Sequence, residues 1–206
     1  MNSSSGKENS PTEDPRVARS RSKVLEAATE LLVEGGHRAV TVDAVAERSG
    51  VAKSTMYRHF PSRTELLVNV LRHNMPTLDL EVPEGSFEDA MRVVMSRAVA
   101  SMDNPDWARM LPALMSLKNT LPDIRELTQA DRECRLSLLR AVLARGIDEG
   151  LVPPDTDPTL IMNLLIGPLM FAAMNNELDG LNELADAVTE QFLASCRFRS
   201  ATQTAT

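Results

Sequence analysis

The chain has 206 residues, 43 % of them apolar but only 3 % aromatic, so it can build a core from good helix formers and is expected to be almost all-α, as one compact unit or two small ones. No apolar run approaches the roughly 20 residues that cross a bilayer, and Met1 to Asp14 contain no apolar stretch of the signal-peptide kind, so a cytoplasmic protein with no membrane partner is expected. The net charge of −7 argues against a nucleic-acid binder until its distribution is considered: Lys and Arg exceed Asp and Glu by four from Arg16 to Met75, while acids lead by nine from Pro76 onward. A basic segment beside an acidic one is the asymmetry of a phosphate-facing module.

In chain order, residues 1–13 are polar and Ser-rich and read as a disordered tail. Asp14-Pro15 supplies a cap and a first-turn proline for a helix whose stripe is Val17, Val24, Leu25, Ala28, Leu31 and Leu32. Gly35-Gly36 ends it. Thr41 caps a short second helix that Gly50 breaks, and a third short helix follows from about Ala52 to His59. Ser62 and Glu65 form a capping box for a fourth, closed by Pro76. Thr77 to Gly85 reads as the inter-domain connection. Ser86 then caps a helix carrying Phe87, Ala90, Met91, Val94, Ala98 and Met102; Asn104-Pro105 starts another, which Pro112 should kink. A long helix is expected over Pro122 to Glu149, one from Asp157-Pro158 to about Asn176, and a last one from Leu181 to Phe198. The domains are thus 14–76 and 86–198, between tails 1–13 and 199–206. Cys134 and Cys196 match no metal spacing and read as two buried free thiols, with a redox switch as the alternative.

Two short helices joined through a glycine turn and preceded by a long helix make a helix-turn-helix, whose second helix enters the major groove. Lys53, Ser54, Thr55, Tyr57, Arg58 and His59 crowd that helix with donors, and only Ala52 and Met56 are apolar in it. Met56, Val45, Val51 and Phe60 are expected in the core. Arg16, Arg19, Arg21 and Lys23 read either as a solvated helix face or as contacts to a DNA backbone.

The run Thr41 to Phe60 (TVDAVAERSGVAKSTMYRHF), continued by Pro61 to Leu67 (PSRTELL), resembles the DNA-binding signature of the TetR family (AcrR-like) over roughly residues 16 to 75. Gly146 to Leu151, the Asp157-Pro158 start and Leu165 to Leu169 resemble a common effector-domain pattern of that family. The resemblance implies an all-α fold of about nine helices: a three-helix DNA-binding domain with the helix-turn-helix, and a larger helical bundle for effector and dimerisation. It also implies roles. Thr41 would bond a phosphate, Lys53, Ser54 and Thr55 would meet the groove and base edges, Tyr57 and His59 would clamp phosphates, Arg58 would read a base, and Arg63 would reach a further phosphate. Two departures stand out: Ala52 replaces a capping Ser or Thr, and Ser54 stands where glycine is common.

In the second domain the helix from Asp157 is apolar on more than one face, through Leu160, Ile161, Leu164, Leu165, Leu169, Phe171 and Met174. The family resemblance implies a homodimer through the last two helices, with Leu164, Leu165, Leu169, Val188 and Phe192 as candidate contacts. Eight methionines after residue 90 give an adaptable interior. Met91, Met95, Met102, Met110 and Met115, with Trp107, Phe171 and Asn163, are candidates to line a pocket; ordinary core packing is the alternative for each. Arg109 and Asn119 are further polar candidates. There is no metal-ligand spacing, phosphate-cradling glycine loop or nucleophile-base pair, so neither an enzyme nor a cofactor is expected. The function that these residues and the resemblance imply is a repressor that binds a palindromic double-stranded DNA operator and is released by a small apolar effector; the alternative is a ligand-independent architectural protein or activator.

Overall fold

The structure, a computed structural model, describes residues 15–102 and 104–204, with the backbone alone over 200–204. The expected tail 1–13, the cap Asp14 and residues 205–206 lie outside the described residues. Among those described there are nine helices and no strand: α1 (Pro15–Ala39), α2 (Val42–Ser49), α3 (Lys53–His59), α4 (Arg63–Asn74), α5 (Phe87–Ala100), α6 (Pro105–Lys118), α7 (Pro122–Asp148), α8 (Pro158–Met174) and α9 (Leu181–Thr204). The chain divides into two compact units, one through Val70 and one from Leu71.

In the first unit α1 packs on α2 and α3. Its buried stripe is Val24, Leu25, Ala27, Ala28, Leu31 and Leu32. Burying each of the larger of these side chains stabilises the fold by about 1.5–3 kcal/mol. Gly36 leaves the helical region (φ 68°, ψ −174°), so the glycine pair interrupts the helix as its sequence suggests, but a further turn carries α1 to Ala39. Thr41 caps α2, its hydroxyl accepting from the Ala44 N–H at 3.1 Å. Gly50 closes α2 in the left-handed region (φ 67°), a conformation that costs glycine nothing because it has no Cβ. Ser62 Oγ accepts from the Glu65 N–H at the start of α4. Val45, Met56 and Phe60 are buried; Val51 is only half-buried, because the turn between α2 and α3 leaves one side of it open.

In the second unit α5 packs on α7 and α9, and α8 packs on α6, α7 and α9. Its helix starts follow local caps. Ser86 and Asp89 form a reciprocal capping box, Asn104 accepts from the N–H groups of Asp106 and Trp107, and Asp157 accepts from that of Thr159 at 2.8 Å. The Ser86 bonds hold the Asp89 carboxyl below its ordinary pKa. Pro112 does not end α6, which runs through it to Lys118. Residues of the Thr77 to Gly85 connection are pinned to this unit: Arg97 pairs with Asp79 at 2.7 Å, and Arg145 Nη1 donates to the carbonyls of Pro83 and Gly85. The last helix continues to Thr204 instead of ending near Phe198. Near its C-terminal end, Arg197 pairs with Glu88 of α5 and with Glu190 two turns back. Cys134 corrects the expectation of two buried thiols: it lies on the exposed side of α7, while Cys196 is buried and its thiol pKa is pushed up by that burial.

Candidate nucleic-acid interface

The recognition helix α3 has seven residues, of which only Met56 is buried. Met56 is 2 % exposed, beside a core that includes Val45 at 0 % and Phe60 at 3 %. One apolar anchor therefore holds the helix, and most of the remaining side chains face outward. Lys53, Ser54, Tyr57 and Arg58 are exposed, and Thr55 and His59 are half-buried. Ala52, at the N-cap, makes no side-chain capping bond. Seven residues are too few for a stable isolated helix, so α3 owes its position to Met56 and to the turn fixed by Gly50.

The outward side chains are already partly organised. Lys53 Nζ lies 2.5 Å from Asp43 Oδ1 on α2, and the hydrogen bond and charge of Asp43 raise the Lys53 pKa. The ammonium is fully charged at neutral pH and has two further protons to offer. His59 Nε2 sits 3.5 Å from Ser20 Oγ on α1, which ties the end of α3 to the first helix. Thr41 spends one acceptor site of its hydroxyl on the α2 cap, and its O–H proton remains available to a phosphate oxygen.

Arg63, which the resemblance assigns to a phosphate, is exposed and also bonds within the protein. Its Nε donates to the Val40 carbonyl at 2.7 Å and its Nη2 donates to the His37 carbonyl. The guanidinium thus holds carbonyls at and just past the end of α1, where a cation also suits the helix dipole. Arg21 likewise has an internal role: it bonds Asn69 Oδ1 at 3.0 Å and lies over the Phe60 ring, 5.7 Å from its centroid. Nothing in the local sequence announces that role, because the partners are 39 and 48 residues away.

In the second unit the pocket candidates separate into two sets. Met91, Met95, Met102, Trp107 and Met110 are all buried, and Met115 is half-buried. Phe171 and Asn163 do not join them. Phe171 is 70 % exposed, and Asn163, also exposed, accepts from Arg132 at 3.1 Å. Arg109 and Asn119 are exposed as well. The interface candidates separate along the same line: Leu165 and Leu169 are 2 % and 0 % exposed and fill the core of the second unit, because α8 turns that face toward α6, α7 and α9. Leu164 is 56 % exposed, and Leu160, Phe171, Met174 and Phe198 are exposed as well. Val188 and Phe192 are half-buried, Phe192 meeting Phe87 edge to face at 6.3 Å. Among the described residues no group of His, Cys, Asp or Glu is placed to hold a metal ion, and no helix is long and apolar enough to cross a membrane.

A short polar helix anchored at one residue, set behind a glycine turn and followed by a helical unit, defines a helix-turn-helix protein with an all-helical C-terminal domain. Residues 24–70 match the family model of bacterial regulatory proteins of the tetR family, and residues 82–192 match that of tetracyclin repressor-like C-terminal domains. The chain belongs to the TetR family. It is 35 % identical over 85 residues to the transcriptional repressor KstR of Rhodococcus jostii, covering 40 % of each chain. It is 41 % identical over 64 residues to the transcriptional activator FasR of Mycolicibacterium smegmatis, covering 31 % of this chain and 29 % of that one. The chain therefore matches well under half the length of either relative. In fold it is similar to the transcriptional regulator FadR of Bacillus subtilis in complex with stearoyl-CoA, with a TM-score of 0.67 at 19 % identity over 85 % of this chain and 98 % of that one.

Proposed function

We propose that the protein is a sequence-specific DNA-binding transcriptional repressor, which binds a palindromic operator as a homodimer and is released by a small, largely apolar effector. The outward face of α3 carries this reading: Lys53, Ser54, Thr55, Tyr57 and Arg58 present hydrogen-bonding groups on a helix with one buried anchor. Donors and acceptors on one helix face suit the base-edge pattern of the major groove. Thr41, Tyr57 and His59 are assigned to backbone phosphates, which position the protein without reading sequence. Arg63 acts through the end of α1, with a phosphate only as a second partner.

Leu160, Leu164, Phe171 and Met174 are exposed and recur along one side of α8, which supports pairing with a second copy, since an apolar patch can mark an interaction site. Two-fold symmetry would then double the recognition helix and match a palindrome. The buried Met91, Met95, Met102 and Met110 suit an apolar effector, because unbranched thioethers repack around varied shapes. Such an effector acts only if it binds the DNA-incompetent dimer more tightly.

The relatives matched through the helix-turn-helix include one named a repressor and one named an activator. That fits an interface that fixes where the protein binds, while the operator's place relative to the promoter sets the sign. The test is selection of bound duplexes from a random pool at stated salt. A two-fold symmetric site is the expected product, and recovery of no preferred sequence would overturn the reading. Location of that site over a promoter, with transcription rising when the protein is removed, decides repression. Stearoyl-CoA is a reasonable first effector probe, followed by thermal shift and by operator affinity with and without it.

A further inference from the structure

Asp43 stands in the first turn of α2 and Lys53 opens α3, and the two side chains meet with Nζ 2.5 Å from Oδ1. The lysine side chain is 57 % exposed and the aspartate 79 %. An ion pair so open to water adds at most about 1 kcal/mol to stability, so the fold gains little from it. Arg48, with Glu34 at 2.7 Å and Glu30 at 3.6 Å, differs in place: that group ties the last turn of α2 to α1. The first residues of a recognition helix are the ones that meet base edges in the major groove. Lys53 is the first residue of α3, and Asp43 lies one hydrogen-bond length from its ammonium. In the proposed complex the carboxylate is therefore carried to the same base edges. Beside phosphates of its own sign it costs affinity, so its use there is discrimination between sequences.

We propose that Asp43 and Lys53 act as one two-headed reader of a single base pair, a donor and an acceptor side by side that select G·C with guanine on the lysine side. The inference rests on the operator-binding reading above. In the major groove guanine offers the O6 acceptor, and cytosine offers the N4 amino donor. Those two atoms share a Watson–Crick hydrogen bond, so they lie roughly 2.7–3.2 Å apart. The ammonium and the carboxylate are spaced much alike. The ammonium donates to O6, and the carboxylate accepts from N4. A T·A pair shows the same order, the O4 acceptor and then the N6 donor. It carries a methyl group where guanine has N7, so a further ammonium proton finds no second acceptor. C·G and A·T reverse the order, setting ammonium against amino group and carboxylate against carbonyl oxygen.

Binding sites are selected from a random duplex pool with the full-length wild type, Asp43→Ala and Lys53→Ala at one salt concentration. Both side chains are exposed, so neither substitution opens the core. One G·C position in each half-site is expected to lose preference in both variants, at the same place. Operators carrying G·C, T·A, C·G or A·T there are then titrated. The wild type should bind G·C best and T·A next, with C·G and A·T weaker than G·C by about 5- to 150-fold. Asp43→Ala should bind the four more evenly, and C·G more tightly than the wild type does. The double variant should lose less discrimination than the two single losses combined, since the pair works as a unit. Preferences unchanged in Asp43→Ala, or lost at different positions in the two variants, overturn the reader and leave operator binding intact. A uniform change of affinity on all four operators assigns Asp43 to charge alone and overturns the reader too. A wild type that selects no sequence overturns both the operator-binding reading and the reader.

Discussion

At the scale of single residues, the pair between Lys53 and Asp43 puts a carboxylate on the surface assigned to DNA. It holds the lysine ammonium, and in the proposed DNA complex it would stand near phosphates of its own sign. Replacing it removes a repulsion and releases the lysine. Asp43→Asn is therefore expected to bind operator severalfold more tightly at low salt, with the gain shrinking as salt screens it. Fluorescence anisotropy with a labelled operator would show this. Weaker binding would mean instead that Asp43 is needed to aim Lys53. Residue roles divide by distance in how far the sequence reveals them. Thr41, Ser86, Asn104 and Asp157 were legible because a cap acts on an N–H two or three residues away. Arg63 was not, because the carbonyls it holds are 23 and 26 residues away and depend on how α1 ends.

At the scale of elements, packing turns on close approach. A Cβ on Gly146 of α7 would sit 2.6 Å from Val152 Cγ2 and 2.8 Å from Phe87 Cδ2. Both neighbours are buried and cannot withdraw freely. Gly146→Ala is therefore expected to destabilise the second unit by about 1–3 kcal/mol, read as a lower melting temperature of the full chain; an unchanged melt would mean that α5 moves away at no cost. A second tie joins α5 to α9, where Arg92 and Arg197 both pair with Glu88 and Glu190. The Arg92 hydrogen bond, with a smaller contribution from Arg197, holds the Glu190 carboxyl below its ordinary pKa. A carboxyl depressed in the folded state contributes stability that is full above its unfolded value, about 4.3, and is lost as pH falls through the folded value. The melting-temperature difference between wild type and Glu190→Gln is thus expected to be small but present at neutral pH and to close as pH drops below about 4. A difference constant with pH would remove Glu190 from the tie. The same tie shows why the end of α9 was not legible: past Phe198 the sequence is polar and carries no apolar stripe, while Arg197 is held to a helix 109 residues earlier in the chain.

At the scale of the whole molecule, α8 shows where reading by period stops. It is apolar on both sides, so its sequence fixes a helix without saying which side faces its own subunit. The structure turns Leu165 and Leu169 inward and leaves Leu164 and Phe171 outside, although Leu164 and Leu165 are adjacent. If the outer side joins two copies, a charge placed there should separate them without harming the fold of either. Leu164→Arg/Phe171→Arg is expected to run as a monomer by light scattering, since two buried guanidinium groups facing an apolar partner would be unpaired. Operator affinity should then fall by about 10²–10⁴-fold, because one half-site must hold the protein where two did before. Leu165→Arg supplies the contrast. Its side chain is 2 % exposed, so the charge enters the subunit's own core and the expected result is loss of folded protein by circular dichroism. A double variant that stays dimeric would place the partner face elsewhere. A double variant that becomes monomeric yet binds the full operator as tightly as before would keep the face but detach dimerisation from DNA recognition.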